Sequence, residues 1–175
     1  MIKDFNLLIS TSRGNERNAC SEIWYLLGEL GDKNAEIDTT GIAGLIVAKT
    51  GLNPKSVVAG LRKILRDRPW EFRYILKVVP IEKVVKASVE DIAKGALSLI
   101  QEISEGESYR VTVQKRHTSL SSVEVVEAVA KHIDRKVDLT KPDKIVMVQI
   151  LGGRAGLSVL KPDQMLSVEK EKRIL

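Results

Sequence analysis

Cysteine, aromatic residues and long apolar runs are scarce in this chain, and each scarcity argues against a class of protein. The single cysteine, Cys20, cannot form an internal disulfide and is typical of a reducing compartment. Aromatic residues make up only 4% of the chain, which argues against base stacking as the main mode of binding a partner. No apolar run reaches the ~20 residues that cross a bilayer, and the N-terminus has no signal-peptide pattern. These features predict a cytoplasmic protein.

Catalytic and metal-binding patterns are also missing. Besides carboxylates, the strong zinc-type ligands are Cys20, His117 and His132, and their spacing fits no structural zinc site. The chain has neither a G-x-x-x-x-G-K-[ST] phosphate loop nor a G-x-S-x-G nucleophile turn. We therefore predict a protein without catalytic residues, without a metal and without a cofactor.

Positive charge is present, and it is unevenly distributed. The net charge is +5. Residues 110–161 carry ten Lys or Arg against five Asp or Glu, whereas residues 81–109 carry three against six. This distribution favours an anionic partner for the second half of the chain.

The pattern of apolar residues predicts a mixed α/β (α+β) protein of two units. In residues 1–80 the order is β-α-β-β-α-β, the ferredoxin-like arrangement. Asn53 followed by Pro54 is a strong helix start. The helix stripe that contains Trp24 predicts a buried tryptophan. Trp70 either lies at the boundary of the core or stacks on a base. The predicted strands and helices cover 5–10, 16–30, 34–38, 44–48, 54–66 and 72–79.

A second unit is predicted over residues 81–165, and the two units are expected to pack together. Residues 81–86 are predicted to be a short helix or an extended entry. A helix is predicted over 89–103, a strand over 109–116, and a helix from Ser122 to about Ile133. Residues 144–151 form a nearly continuous apolar run, which is typical of a central strand buried on both faces. A G-G-R-A-G turn then leads into a last strand at 157–160, and residues 166–175 are predicted to be a charged tail.

The segment between Tyr109 and Ile133 is the strongest candidate site. Lys115, Arg116 and His117 follow the alternating strand, and Ser121 with Glu124 has the spacing of a capping box. Leu120 and Val125 occupy the positions of a hydrophobic staple. A basic strand end and a helix N-terminus would therefore converge, which suits a phosphate group.

Other candidate RNA-binding residues have a structural alternative. Ser119 offers a hydroxyl beside the basic residues, and Arg154 lies in a glycine turn where it either clamps a phosphate or is merely exposed. Arg13 and Asn15 form either a second anion seat or ordinary turn chemistry. A basic helix face, either solvated or part of an RNA track, is predicted from Arg62, Lys63, Arg66 and Arg68.

The second unit resembles the THUMP domain. The resemblance covers about 85 residues and comprises the strand ending in Lys115-Arg116, the capped helix, the segment V-D-L-T-K-P-D at 137–143, the strand I-V-M-V-Q-I and the final hairpin. The V-D-L-x-x-P-D element is its most specific part. An N-terminal ferredoxin-like unit before the domain is similar to the family's usual arrangement.

The resemblance implies binding to tRNA and a place in tRNA modification. Most members carry a catalytic domain, whereas this chain is similar to the adaptors that present tRNA to the RNA cytidine acetyltransferase that makes N4-acetylcytidine. That relation implies two partners, tRNA and the acetyltransferase. Two alternatives remain open: a small tRNA-modifying enzyme in its own right, or a protein-interaction subunit without RNA binding.

Overall fold

A computed structural model describes all 175 residues and separates them into two compact units. Unit 1 comprises Met1–Ile81 together with Gln164–Leu175, and unit 2 comprises Glu82–Asp163. None of the five α-helices has the length and apolar character that crossing a lipid bilayer requires.

Unit 1 is built on an antiparallel sheet. Its elements in chain order are β1 (Leu7–Ser10), α1 (Glu16–Glu29), β2 (Glu36–Thr39), β3 (Leu45–Lys49), α2 (Pro54–Asp67), β4 (Lys77–Pro80), β10 (Leu166–Ser167) and α5 (Val168–Arg173). The strands lie in the order β10-β4-β1-β3-β2. The first six elements confirm the predicted β-α-β-β-α-β order.

The second helix of unit 1 begins where the sequence predicts. The side chain of Asn53 accepts hydrogen bonds from the backbone N–H groups of Lys55 at 2.9 Å and Ser56 at 3.1 Å. Pro54 occupies the first helical position, where no N–H is needed. The buried positions of α2 are Val57, Val58, Leu61 and Leu65, which pack into the core of the unit.

The prediction that Trp24 is buried is wrong, and Trp70 does not lie at the boundary of the core. Trp24 is 56% exposed and Trp70 is 67% exposed. In α1 the buried residues are Ala19, Ile23, Leu26 and Leu27. The buried arc is therefore rotated by about one position from the predicted one, and Trp24 lies outside it.

The last strand of the β-α-β-β-α-β order starts five residues later than predicted, because Glu22 captures the preceding backbone. The carboxylate of Glu22 accepts hydrogen bonds from three consecutive N–H groups, those of Arg73 at 2.8 Å, Tyr74 at 3.1 and 3.2 Å, and Ile75 at 2.7 Å. Residues whose N–H groups converge on one carboxylate do not form an extended ladder there. Residues 69–71 form a short 3-10 turn, and β4 begins at Lys77.

The segment predicted to be a charged tail adds a strand and a helix to unit 1. Leu166 lies opposite Val78 in the sheet, and Leu166 and Val168 are buried. Arg62 of α2 holds this segment, since its Nε donates to the Glu171 carboxylate at 2.8 Å and its Nη2 donates to the Met165 carbonyl at 3.0 Å. The prediction of a tail rested on the charged residues 169–173 and missed the two buried apolar residues that precede them, Leu166 and Val168.

Unit 2 has a mixed sheet. Its elements are β5 (Lys83–Lys86), α3 (Val89–Leu97), β6 (Ser108–Arg116), α4 (Ser122–Ala130), β7 (Lys136–Val137), β8 (Lys144–Leu151) and β9 (Arg154–Leu160). The strands lie in the order β5-β9-β8-β6-β7, with α3 packed on β5 and β9 and α4 packed on β6. The prediction of a central buried strand is confirmed, because all of β8 from Ile145 onward is buried. Strand β6 pairs with β8 in parallel, whereas β8 pairs with β9 and β9 with β5 in antiparallel orientation.

Replacing Glu22 by Ala is expected to destabilise unit 1, because three backbone N–H groups lose a charged acceptor. We expect the free energy of unfolding to fall by about 1–3 kcal/mol in urea denaturation. Glu29→Ala on the same helix is the matched control, since Glu29 forms an exposed ion pair with Arg68 at 3.3 Å and should cost at most ~1 kcal/mol. Equal losses in the two variants would contradict this account.

Candidate nucleic-acid interface

Three basic residues lie in one row at one end of the unit 2 sheet. Arg116 ends β6 opposite Leu151 of β8, Leu151 lies opposite Arg154 of β9, and Arg154 lies opposite Lys86 of β5. Because directly opposed residues share a face and strands are ~4.8 Å apart, the row of Lys86, Arg154 and Arg116 spans about 15 Å. We call these three residues the basic row.

Lys115 adds a fourth positive charge, on the other face of the sheet. Its Nζ donates to the carbonyl of Leu120 at 2.9 Å, just before α4 begins. Arg116 points to the opposite face, where its Nη1 donates to Oε1 of the buried Gln149 at 2.6 Å. Both acceptors are neutral oxygens, so neither positive charge is neutralised by them.

The environment of Arg116 favours an incoming anion. Burial lowers the pKa of its guanidinium, because desolvation disfavours the charged form. An arginine nevertheless remains charged in a protein, so a half-buried guanidinium without a carboxylate partner gains from a phosphate more than an exposed one does. No salt bridge of the chain involves Arg116, Lys115, Arg154 or Lys86.

His117 turns the backbone out of β6 in an unusual conformation. With φ at 53°, it is the one non-glycine residue of the chain with a positive φ. This left-handed conformation is uncommon outside glycine, although His, Asn and Asp adopt it more often than other residues. Strained positions of this kind cluster at functional sites. The side chains of His117 and Ser119 are both exposed.

The predicted cap of α4 is present. The Ser121 hydroxyl accepts a hydrogen bond from the Glu124 N–H at 3.3 Å, and Thr118 Oγ1 accepts one from the Leu120 N–H at 3.2 Å. Leu120 packs against the core that contains Val125, as the staple predicts. The positive end of the α4 dipole therefore lies at the same edge of the sheet as the basic row.

The glycine turn between β8 and β9 ties this edge together. Gly152 adopts a φ of 59°, and its N–H donates to the Arg116 carbonyl at 3.0 Å. The carbonyl of Gly153 accepts from the Ala87 N–H at 2.9 Å. A Cβ added at either glycine would meet no atom within 4 Å, so the backbone of the turn is open to a ligand.

Lys86 is the member of the row that sequence reasoning missed. Residues 81–86 were expected to be a short helix or an extended entry, so Lys86 had no predicted neighbour. Only the long-range pairing of β5 with β9 places it beside Arg154. The start of α3 that follows is less suited to an anion, because Glu90 and Asp91 lie in its first turn.

Arg13 and Asn15 belong to unit 1 and are not part of this edge. Asn15 precedes α1 without capping it, and its Oδ1 accepts from the Asn18 amide at 3.2 Å. The neighbouring Glu16 carboxylate accepts from the Gly44 N–H at 3.0 Å, a bond that lowers the pKa of Glu16. A carboxylate therefore lies within the predicted anion site.

The predicted basic face of the second helix is partly neutralised. Arg62 and Arg68 form ion pairs with Glu171 and Glu29. The exposed basic residues that remain on this face are Lys63 and Arg66.

The V-D-L-T-K-P-D segment lies at the opposite end of β6 and stabilises the fold. The Asp138 carboxylate accepts from the N–H groups of Lys141 at 2.9 Å and Thr140 at 3.0 Å, bonds that lower the pKa of Asp138. The Asp143 carboxylate accepts from the Ser108 N–H at 2.8 Å and hydroxyl at 3.1 Å. Both aspartates therefore act through backbone hydrogen bonds. The chain contains no group of three or more His, Cys, Asp or Glu side chains positioned to hold a metal ion.

Comparisons with known proteins agree on one domain. The THUMP domain model matches residues 86–160. THUMP domain-containing protein 1 of Mus musculus is 26% identical over 133 residues, an alignment that covers 70% of this chain and 38% of the mouse protein. The chain thus spans less than two fifths of the length of that relative.

Two solved structures share the fold. A protein of Pyrococcus horikoshii superimposes with a TM-score of 0.69 at 22% identity, covering 90% of this chain and 55% of that chain. A 4-thiouridine synthetase, solved in complex with RNA and bound ATP, gives a TM-score of 0.57 at 12% identity, covering 94% of this chain and 42% of that chain. At these identities the likeness concerns the fold alone. Residues 86–160 of this chain therefore match the THUMP domain model, and the mouse relative is named for the same domain.

Proposed function

We propose that this chain is a tRNA-binding protein that acts in tRNA modification. The observation that carries the proposal is the alignment of Lys86, Arg154 and Arg116 in one row, beside Lys115 and the start of α4. Positive side chains spaced across a sheet edge suit successive phosphates of one nucleic-acid backbone, whereas a small anion needs only one of them. The proposed contacts are Lys86, Lys115, Arg116, His117, Ser119 and Arg154 in unit 2, with Arg13 and Asn15 as further contacts in unit 1.

The expected mode of recognition is shape and backbone contact with structured RNA. Sequence is read mainly from unstacked bases on aromatic side chains, and residues 115–122 and 151–154 contain no Phe, Tyr or Trp. The positive charges at this edge would instead displace counterions from phosphates, which makes the affinity strongly dependent on salt. The RNA-bound synthetase of the same fold supports a nucleic-acid ligand for this architecture.

We further propose a non-catalytic adaptor that presents tRNA to an RNA cytidine acetyltransferase for N4-acetylcytidine formation. The curated relatives are named for their domain and not for a reaction, which supports the adaptor. A modifying enzyme in its own right is the second candidate, and the fold likeness to a synthetase favours it.

A reconstitution assay separates these two candidates. Unmodified tRNA is incubated with the acetyltransferase, with this chain, and with both, in the presence of acetyl-CoA and ATP, and N4-acetylcytidine is measured by mass spectrometry of the digested RNA. The adaptor predicts acetylation that rises at least about tenfold when both proteins are present. Modified nucleosides formed by this chain alone would overturn the adaptor in favour of the enzyme.

Reversing two charges of the proposed interface should weaken tRNA binding. In the double variant Lys115→Glu with Arg154→Glu, we expect the Kd to rise at least about tenfold, since two charge-assisted contacts are lost. The slope of log Kd against log salt should also fall by roughly 1.5, because about 0.7–0.9 counterions are released per phosphate contact. Filter binding between 50 and 300 mM salt measures both quantities.

The matched control carries the same change of charge away from the row. Lys131 follows α4 and Lys141 lies in the loop before β8, and both are exposed. Lys131→Glu with Lys141→Glu should alter the affinity no more than about threefold. If the two double variants weaken binding equally, net charge and not the proposed interface determines the affinity.

His117→Gly should separate stability from binding. Glycine adopts a positive φ without strain, so the free energy of unfolding should stay the same or rise by up to ~1 kcal/mol, while tRNA binding weakens through loss of the imidazole and a looser turn. Asp134→Gly is the control for added flexibility, since Asp134 is exposed, has no positive φ and is not a proposed contact. A destabilised His117→Gly protein, or one with unchanged affinity, would count against a functional role for this residue.

A further inference from the structure

Strand β6 has an open edge along most of its length. On one side it pairs with β8 from Tyr109 to Arg116. On the other side it pairs with β7 only at Ser108 and Tyr109, because the chain leaves the sheet after Val137. Residues 110–116 are therefore an edge of a sheet that no strand of this chain covers.

The hydrogen bonds at the two ends of β6 show which backbone groups face this edge. The Tyr109 carbonyl accepts from the Asp138 N–H at 3.0 Å, toward β7, whereas the Arg116 carbonyl accepts from the Gly152 N–H at 3.0 Å, toward the β8–β9 turn. Because successive residues of a strand direct their N–H and C=O groups to opposite sides, Val111 and Val113 face the same side as Tyr109. These two valines present two donors and two acceptors to the open edge.

The side chains around the edge suit an extended peptide. Val111 and Val113 are half-buried, β-branched and on the face that packs against the helices. Val137 and Leu139, where the chain departs, are 53% and 70% exposed. Exposed apolar residues beside unpaired strand edges are the features through which strand addition occurs.

Charge identifies the kind of peptide. Arg110 flanks the valines on one side and Lys115 and Arg116 flank them on the other, and none of these three forms an ion pair. A second copy of this chain would bring three more positive charges and no negative one to the new strand pair, which is unfavourable. An acidic segment would neutralise them.

We propose that the β6 edge binds an extended acidic segment of a partner protein, which adds as a strand beside Val111 and Val113. This surface differs from the proposed RNA contacts, because its hydrogen bonds come from backbone groups of Val111 and Val113 in the middle of β6. The two surfaces overlap at the end of β6, where Lys115 and Arg116 lie. The partner would continue the sheet from the point where β7 ends. Its apolar residues would lie beside Val111 and Val113, and its carboxylates would lie on the other face of the sheet, beside Arg110 and Arg116.

The probe is an eight-residue, end-capped peptide in which valine alternates with glutamate, and the matched peptide carries lysine in place of glutamate. Fluorescence anisotropy should show saturable binding of the glutamate peptide and at least about tenfold weaker binding of the lysine peptide. Amide hydrogen exchange followed by NMR should slow at Val111 and Val113 on addition of the glutamate peptide. Equal binding of the two peptides, or no slowing at either amide at millimolar peptide, would overturn the proposal.

Val113→Pro tests the backbone contact directly. Proline removes the N–H that faces the open edge and no bond to β8, so it is compatible with an edge position. We expect the Kd of the glutamate peptide to rise about tenfold relative to Val113→Ala, which keeps the N–H. Equal affinities of the two variants would reject strand addition. If the protein forms a dimer that Val113→Pro abolishes, the edge binds a second copy of the chain. If tRNA slows exchange of the Val111 and Val113 amides, the edge binds RNA. Either result would overturn the proposal of an acidic segment.

Discussion

The parallel pairing of β6 with β8 is the constraint on which the arrangement of unit 2 depends. Strand β8 is buried from Ile145 to Leu151, so its register with its neighbours is set by apolar contacts on both faces. A slip of one residue in β6 would move Val111 and Val113 to the other face of the sheet, and both side chains would lose their contacts with the core. The same register brings Arg116 level with Leu151, and the return of β9 then brings Arg154 and Lys86 into line.

This one strand also has two different sides. Its β8 side is paired throughout, and its β7 side is paired only at the start. An anion that approaches the end of β6 meets side chains and a helix N-terminus, whereas a peptide that approaches the side of β6 meets backbone N–H and C=O groups. Lys115 is near both. Two chemically distinct ligands are therefore compatible with a single strand, and they compete at the end of β6, where a bound peptide reaches Lys115 and Arg116.

Local signals predicted the elements well, and long-range pairing explains what they missed. The cap at Asn53, the apolar run of β8 and the cap at Ser121 depend on neighbouring residues, and all three are present. Lys86 joins the basic row only through a partner some 70 residues away in sequence. Helical periodicity indicates an apolar arc but not which edge of that arc meets the sheet, so Trp24 was misplaced although Ile23 was not. Residues 166–173 were missed for a related reason, because two apolar residues, Leu166 and Val168, are enough to hold this segment beside β4.

The segment that most specifically suggested the family and the residues that carry the proposed function lie at opposite ends of β6. Asp138 and Asp143 bind backbone groups at the start of the strand, and Asp143 fastens Ser108 immediately before the β6–β8 ladder begins. Their effect on the basic row is indirect but physical, since an anchor at the start of two parallel strands determines which residues are level at their ends. A chain can therefore retain V-D-L-T-K-P-D, and with it the fold, after losing the positive charges that are proposed to bind RNA. Family assignment and RNA binding are separate inferences for this reason. The inference of RNA binding depends on the side chains of the basic row and of Lys115.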